Sequence, residues 1–291
     1  MSVKNQEKIS QEPIGKREYL WMAIPILIIV AMMVFLVVKY QSEFTLENIQ
    51  KGLDINFAIF FAIGVFAQLV DGTLGMGYGA TSTSFLMAYG VPPKLSSMAI
   101  HVAEMFTTGA SAISHYKFQN ISKNLFLKLI LPGIIGSAIG AYLLSEIVDG
   151  EKIKPFISLY LIVLAIMIVI KGLRKTPEKK ENHNLTALAT FGGFMDAVGG
   201  GGWGPIVTSN LVGKGRNPRY VIGSVNAAEF GVALASGITF LLFDGLKGWK
   251  IILGLILGGH LQTQQVHQPR RWIFFFDSNK YFDCGKKHRR C

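Results

Sequence analysis

The spacing of charged residues is the feature that most constrains this chain. Twenty uncharged residues, 19–38, lie between Glu18 and Lys39. At about 1.5 Å of rise per residue, a helix of that length matches the roughly 30 Å hydrocarbon core of a bilayer. Uncharged or nearly uncharged runs recur at 55–70, 72–93, 95–116, 129–145, 155–170, 184–213, 219–243 and 251–259. A soluble domain of 291 residues cannot bury so many apolar runs, so the sequence predicts an all-α polytopic membrane protein.

The charges between these runs predict how the chain lies in the bilayer. The net charge is +11, and the basic residues fall in short loops, at 116–128, 171–184 and 213–220. Loops 39–54 and 146–154 are slightly acidic. With segment 1–18 in the cytoplasm and 19–38 as the first transmembrane helix, the basic loops all lie inside, as the positive-inside rule requires. The surplus of basic residues therefore reflects topology, and no nucleic-acid partner is predicted.

The chain also contains an internal repeat at a shift of 125 residues. The match runs without a gap, and it aligns two acidic pairs, three glycines, a proline and a Thr-Ser pair. The aligned positions are Asp71/Asp196, Gly75/Gly200, Gly77/Gly202, Gly79/Gly204, Thr83/Thr208, Ser84/Ser209, Pro93/Pro218 and Glu104/Glu229. Chance apolar similarity would not place these residue types in one register. A period of this length in a membrane protein predicts two structural halves.

The number of apolar pieces predicts how the halves are oriented. Between residue 55 and the second copy lie five pieces, at 55–70, 76–90, 95–115, 125–146 and 155–171. An odd number inverts the second copy, so the sequence predicts inverted repeats. We divide the chain into a first half at 55–172, a basic cytoplasmic loop at 173–185 and a second half at 186–259.

Each half contains a glycine-rich break within apolar sequence, at 71–79 and 196–205. So many glycines do not sustain a helix, and the piece at 76–90 is too short to cross a bilayer. We therefore expect glycine-broken or re-entrant helices that meet near the midplane. Their free N–H groups would cradle a small anion, with Gly75, Gly77, Gly79, Gly200, Gly202 and Gly204 as substrate-binding residues. Close helix packing through small residues is the alternative.

Polar side chains near the breaks are the other candidates for function. An ionised group facing lipid costs about 2.5–3.5 kcal/mol or more, so the acids must face the interior, pair or bind protons. The predicted proton-coupling or gating residues are Asp71, His101, Glu104, Asp196, Asn226 and Glu229. Capping of half-helices is the alternative for the acids. The hydroxyls of Thr83, Ser84, Thr208 and Ser209 are candidate anion donors, unless they bond back to their own helices.

Several classes of chemistry lack their sequence signatures. The two cysteines, Cys284 and Cys291, give neither a disulfide framework nor a metal pair. No nucleophile elbow, HExxH motif or P-loop occurs. The sequence therefore predicts neither an enzyme nor ATP-driven transport, and it predicts no cofactor and no metal.

The motif Gln68-Leu-Val-Asp-Gly-Thr-Leu-Gly-Met-Gly-Tyr-Gly-Ala80, with a second copy ending at Asn226-Ala-Ala-Glu-Phe230, resembles the TauE/SafE sulfite-exporter family of membrane permeases. The resemblance covers roughly residues 55–259. It implies a plasma-membrane carrier that exports sulfite or related organosulfur anions by alternating access. A receptor or scaffold that does not transport is the alternative from another class.

The sequence after residue 259 does not continue the repeat. Polar and basic residues replace the apolar helix that the first half would predict, and both cysteines occur there. We interpret 260–291 as an aberrant tail produced by a frameshift or an assembly error, which would leave an inactive truncated permease. A basic cytoplasmic regulatory tail is the alternative.

Overall fold

A computed structural model describes residues 54–173 and 184–263, together with isolated positions between 27 and 45. The predicted helix at 19–38 is described only at isolated positions, which are helical. Segment 1–18 and the tail after 263 lie outside the described residues. The two continuous ranges form nine α-helices and no strand. The helices are α1 Ile55–Leu74, α2 Tyr78–Ala88, α3 Pro93–Lys117, α4 Lys123–Tyr142, α5 Gly150–Leu173, α6 Leu185–Gly199, α7 Ser209–Gly213, α8 Pro218–Asp244 and α9 Trp249–Thr263.

Short π-helices extend two of these elements. Residues Leu143–Ile147 continue α4, and Gly204–Thr208 leads into α7. Four described helices are long and apolar enough to cross a bilayer, namely Ile55–Leu74, Lys123–Ile147, Gly150–Ile170 and Pro218–Asp244. Helix α5 exposes apolar side chains such as Phe156, Leu159 and Ile162, which suit contact with lipid tails. The fold is that of an all-α polytopic membrane protein, as predicted.

The two halves pack with the inversion that the repeat predicts. Helices α3 and α8 are equivalent under the 125-residue shift, and each begins at the aligned proline. They run antiparallel, because Gly237 of α8 packs on His101 of α3 while Asn226 donates to Ser111 at 3.4 Å. Two equivalent helices that run antiparallel against each other belong to oppositely oriented halves. The remaining contacts agree, since α4 packs on α6 just as α9 packs on α1.

Each break joins two helices into a re-entrant hairpin. In the first hairpin, Phe66 of α1 and Phe85 of α2 have ring centroids 5.3 Å apart. Tyr89, just after α2, donates to Asn56 Oδ1 at 2.6 Å, so the hairpin enters and leaves at one face of the protein. In the second hairpin, Gly192 of α6 packs on Val207. Because the halves are inverted, this second hairpin enters from the opposite face.

Polar contacts hold the helix ends at both faces. At one face, Lys94 Nζ lies 2.6 Å from Asp244 Oδ1 and ties α3 to α8. At the other, Arg219 donates to the Phe118 carbonyl at 2.9 Å and to the Asn120 side chain, which brings two of the predicted basic loops together. We call these the Lys94 face and the Arg219 face.

The start of α1 is a capped helix end at the Lys94 face. Asp54 Oδ1 accepts from the Phe57 N–H at 3.0 Å, and Oδ2 lies 3.4 Å from Lys250 Nζ of α9. The hydrogen bond from the Phe57 N–H lowers the pKa of the Asp54 carboxyl, and the nearby Lys250 adds to the effect. The cap therefore fixes where the first hairpin enters.

Candidate functional site

The two breaks end their first helices in the same way. Helix α1 is capped by Gly75 at φ 69°, and α6 is capped by Gly200 at φ 66°. The N–H of each capping glycine donates to the carbonyl of the acid four residues earlier, Asp71 or Asp196. The left-handed conformation favours glycine because it has no Cβ, which explains why glycine occupies both positions. The repeat is therefore preserved in the backbone itself.

The two breaks contact each other through bare backbone. A Cβ added to Gly79 would lie 2.7 Å from Gly201 Cα, and one added to Gly204 would lie 3.0 Å from Met76 Cβ. These contacts are equivalent under the 125-residue shift, which carries Gly79 onto Gly204 and Met76 onto Gly201. The breaks thus meet where the two halves cross, and glycine is what allows their close approach.

Asp196 organises the second break from within. Its Oδ1 accepts from the N–H groups of Gly202 at 2.7 Å and Trp203 at 2.9 Å, so it caps the start of the following half-helix. Its Oδ2 is buried and has no hydrogen-bond partner among the described residues. The carboxyl group therefore has one oxygen committed to structure and one available to a proton or another donor.

His101 connects Asp196 to Glu104 across the two halves. The Nε2 atom lies 3.2 Å from the Asp196 carbonyl oxygen, and because a carbonyl can only accept, Nε2 carries the hydrogen. The Nδ1 atom lies 3.1 Å from Glu104 Oε2 and 3.8 Å from Asp196 Oδ2. One proton is thus shared between Nδ1 and Glu104. The imidazole ring is fully buried and stacks on Phe240 with centroids 6.0 Å apart.

The site is rich in carboxyl groups. Glu229 interacts electrostatically with Asp71, Glu104 and Asp196, so all four acids belong to one cluster. Ionised carboxylates that interact where water is scarce repel one another, and protons relieve that repulsion. Among the described residues, His101, Glu104 and Asp196 also have donor atoms within 4.8 Å of one another, close enough to hold a cation. The lone pair that a cation would need on Nδ1 is already hydrogen-bonded to Glu104.

The predicted hydroxyl and amide donors occupy different environments. Thr83 donates to the Gly200 carbonyl oxygen and so joins α2 to the second break. Thr208 is fully buried, and its hydroxyl has no partner among the described residues. Ser84 is exposed and bonds back to the Ala80 carbonyl, while Ser209 bonds back to Pro205. Asn226 donates to Ser111, away from the break carbonyls.

Residues that the sequence did not single out complete the site. Ser97 donates to the Ala197 carbonyl at 2.6 Å, and the Tyr160 hydroxyl lies 3.4 Å from the Gly201 carbonyl. Tyr78 donates to the Leu255 carbonyl at 3.0 Å, and the buried Trp203 indole donates to Val225 at 3.1 Å. The alignment of Tyr78 with Trp203 was a signal for that pair. Tyr160 lies in the first half, but its equivalent at 285 falls in the tail that does not continue the repeat, and no sequence pattern pointed to it.

Comparison with known proteins agrees with this architecture. The family model described as sulfite exporter TauE/SafE matches residues 60–266, most of the chain and both hairpins. The chain belongs to the TauE/SafE family. It is therefore a multi-pass membrane transporter, in agreement with the resemblance of the glycine-rich motifs.

Two curated relatives were found. The chain is 41% identical over 211 residues to "Probable membrane transporter protein YtnM" of Bacillus subtilis (strain 168). This alignment covers 69% of this chain and 70% of that protein. It is 25% identical over 142 residues to "Sulfite exporter TauE/SafE family protein 3" of Arabidopsis thaliana, covering 47% of this chain and 29% of the plant protein. No solved structure matches the chain.

Proposed function

We propose that this TauE/SafE protein is a secondary carrier, not an enzyme, and that it exports sulfite or a related organosulfur anion across the plasma membrane by alternating access. The observation that carries the proposal is the meeting of the two glycine breaks beside the cluster of Asp71, His101, Glu104, Asp196 and Glu229. The family description supports the sulfur anion, and the inverted hairpins support alternating access.

The breaks supply the anion-binding part of the mechanism. Where the next half-helix begins, its unpaired N–H groups and the positive end of its dipole attract an anion. Gly75, Gly77 and Gly79 in the first break, with Gly200, Gly202 and Gly204 in the second, let a ligand approach the backbone closely. Thr208 would add a hydroxyl donor, and Thr83 would add one only when it releases the Gly200 carbonyl. Ser84 and Ser209 are weaker candidates, because both bond back to their own helices.

The acids supply the coupling part. An anion cannot rest beside several ionised carboxylates without strong repulsion, so we propose that its binding is accompanied by proton uptake at the cluster. The proton shared by His101 and Glu104 is the first candidate, and Glu229 and Asp71 are the next. Asp196 would act through its free Oδ2 oxygen. Asn226 is the equivalent of His101 in the second half, and it would act as a gate there.

The test is sulfite accumulation in inverted membrane vesicles from cells that express the chain. We expect accumulation above that of vesicles without the protein, and a rate that responds to an imposed proton gradient. Glu104→Gln and Glu229→Gln should lower the rate and weaken that response. Asp149→Asn is the matched control, since this exposed acid lies between α4 and α5, far from the breaks. Accumulation equal to that of empty vesicles would refute the carrier, and normal gradient response in both Gln variants would refute the coupling role.

A further inference from the structure

The two breaks are related by the repeat, but their threonines are not in equivalent states. Thr83 donates to the Gly200 carbonyl oxygen of the opposite break. The equivalent donor on the other half is Thr208, and the equivalent acceptor is the carbonyl of Gly75. Thr208 is 0% exposed, yet its hydroxyl has no partner among the described residues. One of two symmetry-related hydrogen bonds is therefore made, and the other is absent.

The backbone approach of the two breaks does not explain this difference, although the Ile222 side chain lies beside Gly75 where Thr83 lies beside Gly200, and Thr208 can reach Gly75 only when Ile222 moves aside. Gly79 packs on Gly201, and Gly204 packs on Met76, so the backbone approach is the same on both sides. A buried hydroxyl without a partner costs about 1–3 kcal/mol relative to a satisfied one. Such a group calls for an explanation, and a second arrangement of the structure that satisfies the hydroxyl supplies one. In an inverted-repeat carrier, the second arrangement is the one in which the halves exchange conformations.

The hydrogen bonds that Ser97 and His101 donate to the second break have no equivalent at the first break. Ser97 donates to Ala197, but its equivalent is Ile222, which has no donor. His101 donates to the Asp196 carbonyl, but its equivalent is Asn226, which donates to Ser111 instead. These bonds cannot pass from one half to the other. The bond from Thr83 differs from these two, because the equivalent residue on the other half, Thr208, is also a threonine.

We infer that Thr83 and Thr208 are alternating donors that select between the two access states. In the state seen here, Thr83 holds Gly200 and Thr208 is unsatisfied. In the opposite state, Thr208 donates to the Gly75 carbonyl oxygen and Thr83 releases Gly200. The bonds from Ser97 and His101 add to the first state alone, so the carrier rests in it. This inference rests on the proposed alternating access and assigns its two states to two named side chains.

Equivalent reporter positions let the states be read without transport. Thr73 and Val198 are aligned by the repeat and lie in the last turns of α1 and α6, just before the capping glycines, Thr73 exposed and Val198 half-buried. The cysteines of the chain are Cys284 and Cys291, so replacing both by serine gives a background without thiols. Thr73→Cys and Val198→Cys are then introduced separately, and the rate of maleimide labelling is measured in inverted vesicles and in intact cells.

Removing the two hydroxyls should have different effects on the labelling ratio of the reporters. Thr83→Val should raise labelling at the Val198→Cys reporter and lower it at the Thr73→Cys reporter, by about fivefold in their ratio for one lost hydrogen bond. Thr208→Val should leave the resting ratio unchanged or shift it slightly the other way. It should also slow sulfite flux severalfold, because the state that needs this donor loses it. Thr83→Ser and Thr208→Ser keep the hydroxyl and should keep the labelling ratio of the parent.

The outcomes separate the inference from the carrier proposal. The inference is overturned if Thr83→Val leaves the labelling ratio unchanged, or if both valine variants move it in the same direction. If Thr83→Val does not fold, Thr208→Val decides alone, since normal flux in that variant also overturns the inference. A labelling ratio that responds as expected in vesicles without sulfite flux would refute the carrier proposal but support the two states.

Discussion

Gly79 and Gly201 pack backbone against backbone, one from each half, so closely that a Cβ on Gly79 would lie 2.7 Å from the Gly201 Cα. The same Cβ would lie 2.9 Å from Glu104 Oε1, so this contact also sets the distance between the breaks and the acid cluster. The crossing point of the two halves is thus built from glycine for steric reasons as well as for any ligand it holds.

Gly79→Ala should therefore damage the crossing. The new methyl group must push two backbones apart, and overpacking of this kind costs about 1–3 kcal/mol. We expect a lower melting temperature in detergent, by scanning fluorimetry, together with loss of sulfite flux. Gly72→Ala is the matched control, because a Cβ at Gly72 meets nothing within 4 Å, and it should preserve both properties. Equal melting temperatures for the two variants would contradict the packing that we describe.

Substitutions of Asp196 should separate its structural role from its charge. Asn retains an oxygen that can accept from the Gly202 and Trp203 N–H groups, whereas Ala leaves both N–H groups unsatisfied. Loss of a helix cap costs about 0.5–2 kcal/mol, so Asp196→Ala should melt earlier than the parent and Asp196→Asn should not. Both variants should transport poorly, because both lack the free carboxyl oxygen. If Asp196→Asn transports normally, the acid serves only as a cap.

The ion pair at the Lys94 face should contribute to stability. Lys94 lies 2.6 Å from Asp244, and the Asp244 side chain is only 10% exposed. Asp244→Asn should therefore cost about 1–2 kcal/mol, since a partly buried charge loses its partner. The exposed pair of Lys152 and Asp149 lies 3.4 Å apart in water and offers the comparison. Asp149→Asn should change the melting temperature little. An equal loss of melting temperature in Asp149→Asn and Asp244→Asn would contradict the claim that burial makes the Lys94–Asp244 pair the stronger one.

Much of this fold could be predicted from the sequence, because a gapless repeat carries its own geometry. Pro93 and Pro218 begin equivalent helices, and the glycine breaks end α1 and α6 in the same left-handed conformation. His101 and Glu104 are three residues apart, a spacing that predicts that both lie on one helical face, and their side chains lie 3.1 Å apart. The local sequence, together with the repeat, was sufficient to predict each of these features.

The contacts between the halves could not be predicted in the same way. Helical spacing identifies neighbours on one helix, but it gives no register between Ser97 and Ala197, or between His101 and the Asp196 carbonyl. Those pairs arise from how two inverted hairpins pack. The roles of Ser84 and Ser209 also depended on rotamers, since a serine on a helix can face a ligand or bond back four residues. The predicted tail at 260–291 stays a prediction.

The most direct test of the central claim is sulfite counterflow in proteoliposomes that contain the purified chain. Vesicles loaded with unlabelled sulfite are diluted into a trace of labelled sulfite, and the internal label is followed with time. A carrier that alternates its access exchanges internal unlabelled sulfite for external labelled sulfite. We therefore predict a transient accumulation of label above equilibrium. Gly79→Ala should lose this accumulation, and Gly72→Ala should retain it. Label that only rises to equilibrium, or matches that of protein-free liposomes, would contradict the account.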